Sequence, residues 1–189
     1  LQAGAVPMGA ALAGDVNEQE LGGAPDKIFA EWDETPLSAA SIGQVHRAVT
    51  QDGLPVAVKV QYPGVAKAIM SDLENSNILF TVLGMVFPGL DPKPIVEELQ
   101  ERLGEEVDYR IEAKNQTDFH GWYRDHPFIH VPAVVPAHSS ERVLTTELAQ
   151  GVRFAEVSNS WTDQQKNMAA ESIYRFVFRS LWSFHAFNG

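Results

Sequence analysis

The feature that most constrains this chain is a run of small residues leading into one strand, followed by a valine-rich strand that carries a single lysine. The first part reads Pro36-Leu37-Ser38-Ala39-Ala40-Ser41-Ile42-Gly43-Gln44-Val45-His46, and the second Val56-Ala57-Val58-Lys59-Val60. Backbone can approach an anion closely only where side chains are small, and successive N–H groups of such a turn form an anion-binding concavity. Alanine resists positive φ, so Ser38, Ala39, Ala40 and Ser41 are expected to make a stiffer loop than glycines would, with fewer N–H groups on offer. In the second strand, alternation places Val56, Val58 and Val60 on one face and Ala57 with Lys59 on the other. A strand lysine usually just reaches water. Here a flat small residue beside an ammonium group, next to such a turn, suits a surface that packs a base and pairs its phosphates.

Three blocks extend this pattern: the loop with Ile42-Gly43-Gln44-Val45-His46, the strand continuing through Gln61-Tyr62-Pro63-Gly64-Val65, and Glu106-Val107-Asp108-Tyr109-Arg110-Ile111-Glu112-Ala113. In that order and spacing the chain resembles the UbiB/AarF atypical kinase-like family, linked to ubiquinone biosynthesis, from about Phe29 onward. The resemblance implies an α+β fold: a protein-kinase-like N-lobe of antiparallel sheet plus long helices, then the first helix of a truncated C-lobe. It implies an Ala/Gly-rich extension over 1–27, the N-lobe with inserted helices over 28–151, and the start of a helical C-lobe over 152–189. A short helix near Val16 to Leu21 is expected within the extension.

The same resemblance assigns roles. Lys59 and Glu112 are the catalytic ion pair, with Lys59 on the α/β-phosphates of ATP. Ser38, Ala39, Ala40 and Ser41 border the phosphates, Val45 and Ala57 the base, and the Glu147 carbonyl and Ala149 N–H the adenine edge. From the residues alone, Glu147 to Ala149 reads equally well as a strand end and loop. Glu106 and Asp108 match the family's regulatory Glu-x-Asp motif, which engages a Lys-x-Gly-Gln segment expected upstream of Leu1. The implied ligand is ATP or ADP with Mg2+, its metal ligands and the catalytic Asp/Asn loop expected beyond Gly189. Lipid or quinone-biosynthesis partners are implied as well.

The remaining segments read from periodicity. A helix opening at Pro63-Gly64 carries Val65, Ile69, Leu73, Phe80, Leu83 and Phe87. A second, from about Pro94 to Gly121, carries Ile95, Leu99, Leu103, Val107 and Ile111 as a core stripe, with Glu105, Asp108 and Glu112 crowded on another face. Lys59 and bound magnesium would offset that crowding. Pro127 to Val135 and Arg142 to Leu148 read as two further strands. Thr162 to His185 reads as a helix apolar almost all round, which needs a buried position. His120, His126 and His130 share a loop but lack the spacing of a metal site, so no metal ligand is expected among them.

Composition narrows the function classes. A formal charge of −11 and a pI near 4.9 disfavour sequence-independent nucleic-acid binding and attraction to an anionic membrane. Cysteine is absent, so disulfide and thiolate chemistry are excluded. The longest apolar run, Ile78 to Phe87, is interrupted by Thr81 and Gly84 and falls short of the roughly 20 residues that span a membrane. The chain is therefore expected to be cytoplasmic, or peripheral to a membrane, with no transmembrane segment. Two readings stand: an atypical kinase or ATPase, and a pseudokinase-like module that senses nucleotide without phosphoryl transfer. A peripheral scaffold using Ile78 to Phe87 is a third, weakened because core packing explains that stripe.

Overall fold

The computed structural model describes residues 9–71, 93–152 and 154–186. The apolar run Ile78 to Phe87, with Leu73, lies outside them. Two units are present, one of Leu1–Asp118 with Pro132–Leu148 and one of Phe119–Val131 with Ala149–Gly189.

The first unit is built on a five-stranded antiparallel sheet. Its strands are β1 (Phe29–Trp32), β2 (Ser38–Ala39), β3 (Gly43–Thr50), β4 (Pro55–Gln61) and β5 (Val143–Glu147). The order is β1-β3-β4-β5, with β2 also on β3. β1 and β2 thus occupy one edge of β3, and the backbone between them leaves the ladder. The Asp33 side chain accepts the Thr35 N–H at 2.9 Å, while Pro36 has no N–H to donate. Pairing resumes where Leu37 N–H donates to Val45 O at 2.7 Å. β3 and β4 are joined by a tight turn in which Gly53 takes φ 87°, a value glycine reaches without strain.

Alternation along β4 separates two cores. Val56, Val58 and Val60 are fully buried with Phe29, Ala48 and Val143 on one face. That face is covered by α1 (Ala10–Leu21), a helix longer than the one expected near Val16 to Leu21; Ala13 and Val16 project from it into the valines. Arg142, just before β5, ties the helix down: its Nε donates to Glu20 Oε1 at 2.7 Å and its Nη2 to Gln19 Oε1 at 3.2 Å. A single turn, α2 (Pro25–Ile28), leads from α1 into β1. The other face of the sheet carries Ile42, Tyr109 and Leu144, with Val107, Ala113 and Val134 packed around them.

Two expectations about secondary structure fail, for identifiable reasons. The long helix expected over Pro94 to Gly121 is two helices, α3 (Lys93–Glu106) and α4 (Tyr109–Tyr123). The break at Val107-Asp108 is fixed from outside: Gln61 Nε2 on β4 donates to Val107 O at 2.8 Å, and Tyr109 N–H donates to Glu141 O at 2.9 Å. Asp108 then caps the new helix by accepting the Arg110 N–H at 2.9 Å. The break resets the helical phase, so Tyr109 and Ala113 face inward and Ile111 is exposed. The strand expected over Pro127 to Val135 is reduced to an isolated bridge between Val134 and Thr146. Pro127 and Pro132 contribute no donors to a ladder there.

The second unit contains α5 (Phe154–Ser160) and α6 (Asp163–Phe184). Thr162 and Gln165 form a reciprocal capping box at the start of α6. One side of α6 packs on the end of α4: Tyr123 is buried, its hydroxyl 2.9 Å from Ser180 Oγ, and Trp122 stacks on Phe184 at 4.7 Å. The other side stays open, with Met168 63% exposed and Trp182 73%. No helix among the described residues is long and apolar enough to cross a membrane.

Candidate functional site

The alternation that buries the β4 valines sends Lys59 and Ala57 to the opposite face. Directly opposed residues of antiparallel strands share a face, so Val45 on β3 and Leu144 on β5 flank Lys59, and Thr146 flanks Ala57. Ser38 lies opposite Val45 across the β2–β3 pair. The sheet thus brings Ser38, Val45, Ala57 and Lys59 to one surface.

α4 supplies the anionic partner. Lys59 Nζ lies 2.6 Å from Glu112 Oε2, with the two side chains 22% and 45% exposed. An incoming ligand can therefore reach both. The ammonium also sits over the Tyr109 ring, 4.6 Å from its centroid. Tyr109 is buried and its hydroxyl finds no hydrogen-bond partner. Burial, reinforced by the Glu112 and Glu106 carboxylates, pushes its phenol well above the usual tyrosine range, so it stays protonated at neutral pH.

The small-residue turn closes as a hairpin. Ala40 N–H donates to Gly43 O at 2.9 Å, so this N–H is spent inside the turn. Ser41 Oγ donates to Glu106 Oε1 at 3.2 Å, joining the turn to the first residue of the Glu-x-Asp motif. Asp108 is held by Arg110, whose Nε and Nη2 donate to its carboxylate at 2.9 and 2.8 Å. Those hydrogen bonds keep Asp108 below the usual carboxylate range, outweighing the opposing effect of burial. The expected crowding of Glu105, Asp108 and Glu112 on one face does not occur. The helix break separates them, and each finds its own cation: Arg102 for Glu105, Arg110 for Asp108, Lys59 for Glu112.

The two residues expected at the adenine edge are the last residue of β5 and the second residue after it. Glu147 ends β5 opposite Val56, so its side chain belongs to the valine face, and its N–H donates to Ala133 O at 2.8 Å. Ala149 belongs to the second unit. No group of three His, Asp or Glu side chains that could hold a metal ion occurs among the described residues. His120 Nδ1 lies 2.7 Å from Val131 O. The site residue that sequence reasoning missed is Tyr109. It stands three residues before Glu112, a spacing that shares a helix face, and that was the available signal.

The surface combines one accessible ammonium with a carboxylate partner, small apolar residues beside it, and a hairpin of small residues at the edge. The sequence profile of the ABC1 atypical kinase-like domain matches residues 1–189. The mitochondrial atypical kinase COQ8B of Rattus norvegicus is 40% identical over 169 residues, covering 89% of this chain and 32% of its own length. The mitochondrial atypical kinase COQ8 of Saccharomyces cerevisiae is 32% identical over 169 residues, 89% of this chain and 34% of its own. The chain thus spans about a third of these curated relatives. Among solved structures, Rv3197 from Mycobacterium tuberculosis, described as a complex with erythromycin, superposes with a TM-score of 0.84 at 37% identity. The match covers 93% of this chain and 44% of that one.

Proposed function

The chain belongs to the ABC1 atypical kinase-like family, and from that premise we propose that its sheet surface binds an adenine nucleotide on behalf of an atypical kinase or ATPase. The observation that carries this reading is the 2.6 Å pair of Lys59 and Glu112 on the face shared with Val45 and Ala57. Glu112 orients the ammonium, which acts as a compact point charge toward phosphate oxygens. Val45 and Ala57 offer a flat apolar surface to a base. Ser38, Ala39, Ala40 and Ser41 border the phosphates, and the backbone at Glu147 serves the adenine edge. Mg2+ would neutralise phosphate charge when bound. By the family's association, the whole protein acts in isoprenoid quinone or lipid metabolism.

A second reading has its own support. The Ser41–Glu106 contact couples the small-residue turn to the Glu-x-Asp motif, and Ala40 has already spent its N–H. Such a turn suits a module whose occupancy is sensed rather than turned over.

A thermal shift assay on the full-length protein tests nucleotide binding. A ligand at about a hundred times its dissociation constant stabilises the fold by about 2.7 kcal/mol. Mg-ATP or Mg-ADP should raise Tm in the wild type, and much less in Lys59→Ala. No shift with any adenine nucleotide at millimolar concentration overturns the proposal. Binding without measurable phosphate release or transfer selects the sensing module.

A further inference from the structure

Lysine has four rotatable bonds, and holding its ammonium at one point usually needs more than a single exposed ion pair. Around Lys59 the structure shows a second fixed element. We propose that Tyr109 is a positioning residue for Lys59: its buried ring is a platform that holds the ammonium toward Glu112.

Three observations carry this. The Lys59 ammonium stands 4.6 Å from the Tyr109 ring centroid, within cation–π range, while Glu112 approaches the same nitrogen. The ring itself cannot drift. Tyr109 begins α4, its N–H donates to Glu141 O, and it is buried in one cluster with Ile42 and Leu144, against which Val107 and Val134 pack. A Cβ on Gly43 would collide with the Val60 carbonyl and lie 3.0 Å from the Tyr109 hydroxyl, so glycine at 43 leaves the tip of that side chain its space. The hydroxyl has no partner, so the platform is the ring face rather than a hydrogen bond. When a phosphate draws on the ammonium, Glu112 is the competing anion, whereas the ring contact needs no displacement. This role rests on the nucleotide-binding reading above, but the contact itself can be measured without nucleotide.

The test is NMR of the full-length protein labelled with 13Cε-lysine, with Lys59→Arg used to assign the Lys59 signal. Protons held over an aromatic face are shifted upfield. Lys59 ε-protons should therefore lie upfield of exposed lysines in the wild type and in Tyr109→Phe, and return to the exposed position in Tyr109→Leu. A Lys59 signal at the exposed position in the folded wild type overturns the proposal, and this holds even if Tyr109→Leu fails to fold. A signal unmoved by Tyr109→Leu, with circular dichroism showing a folded chain, overturns it equally. Nucleotide titration supplies the second arm. Tyr109→Phe should bind like wild type and Tyr109→Leu about ten-fold more weakly; equal affinity in a folded Tyr109→Leu removes the positioning role. An upfield Lys59 in a wild type that binds no nucleotide leaves the platform standing and refutes the nucleotide reading instead.

Discussion

Gly43 and His46 sit three residues apart on β3 and illustrate two ways one residue governs a sheet. At Gly43 the β4 backbone comes so close that a methyl group would strike the Val60 carbonyl oxygen, and a backbone atom cannot step aside as a flexible side chain can. Gly43→Ala should therefore lower stability by about 1–3 kcal/mol, the range for overpacking; a urea midpoint equal to wild type would contradict this. His46 is fully buried, stacked on Trp32 at 4.6 Å. Its Nδ1 lies 2.8 Å from Asp33 O, which makes that nitrogen the donor and leaves Nε2 to accept from the Gln44 amide at 2.8 Å. Burial lowers its pKa, outweighing the pull of the Asp33 carbonyl. The unfolded chain therefore takes up a proton near pH 6.5 that the folded one refuses. This contribution is complete above that pH and is lost as pH falls below it toward the folded value. The unfolding midpoint should drop between about pH 7.5 and 5.5, and the slope should flatten in His46→Gln. Parallel slopes in the two proteins would refute the assignment. Asp108 and Glu20, both held below the ordinary carboxylate range, titrate at more acid pH than this window.

At the scale of elements, the break between α3 and α4 sets the register of Tyr109 and Glu112 against β4. Asp108→Ala removes the side chain that accepts the Arg110 N–H and should cost about 1 kcal/mol, typical of a lost N-cap. Chemical denaturation measures it, and a loss below about 0.3 kcal/mol would mean water replaces the cap. This break was not legible beforehand, because its cause is not local. Val107 O and Tyr109 N–H are claimed by Gln61 and Glu141, residues far away in sequence, and the apolar spacing from Ile95 to Ile111 carries no trace of that. β3 and β4 were legible because alternation and the Gly53 turn are local properties. So was the start of α6, where Thr162 and Gln165 carry the capping pattern in the sequence itself. The Lys59 surface was legible in part: alternation chose the face and the family motif chose Glu112. Tyr109 was passed over because a tyrosine beside acidic residues reads as ordinary core until the ammonium above it is seen.

On the scale of the whole molecule, the open side of α6 is a measurable property. Met168, Ile173, Tyr174 and Trp182 are each at least 60% exposed, and an apolar surface of this kind is where environment-sensitive dyes bind. The folded 189-residue chain should enhance the fluorescence of such a dye at neutral pH, and Met168→Lys combined with Trp182→Lys should abolish most of it. Enhancement unchanged by that pair would place the apolar surface elsewhere. The clasp from Arg142 to Glu20 carries a consequence of a different kind, in time rather than space. Its two ends are 122 residues apart, and a ribosome adding about 5–20 residues per second needs roughly 6–24 seconds to travel between them. For that interval α1 is already made while β5 and its clasp do not yet exist. The valine face of β4, itself made within that interval, therefore waits without Val143 until β5 follows, exposed to whatever cellular factors hold unfinished chains.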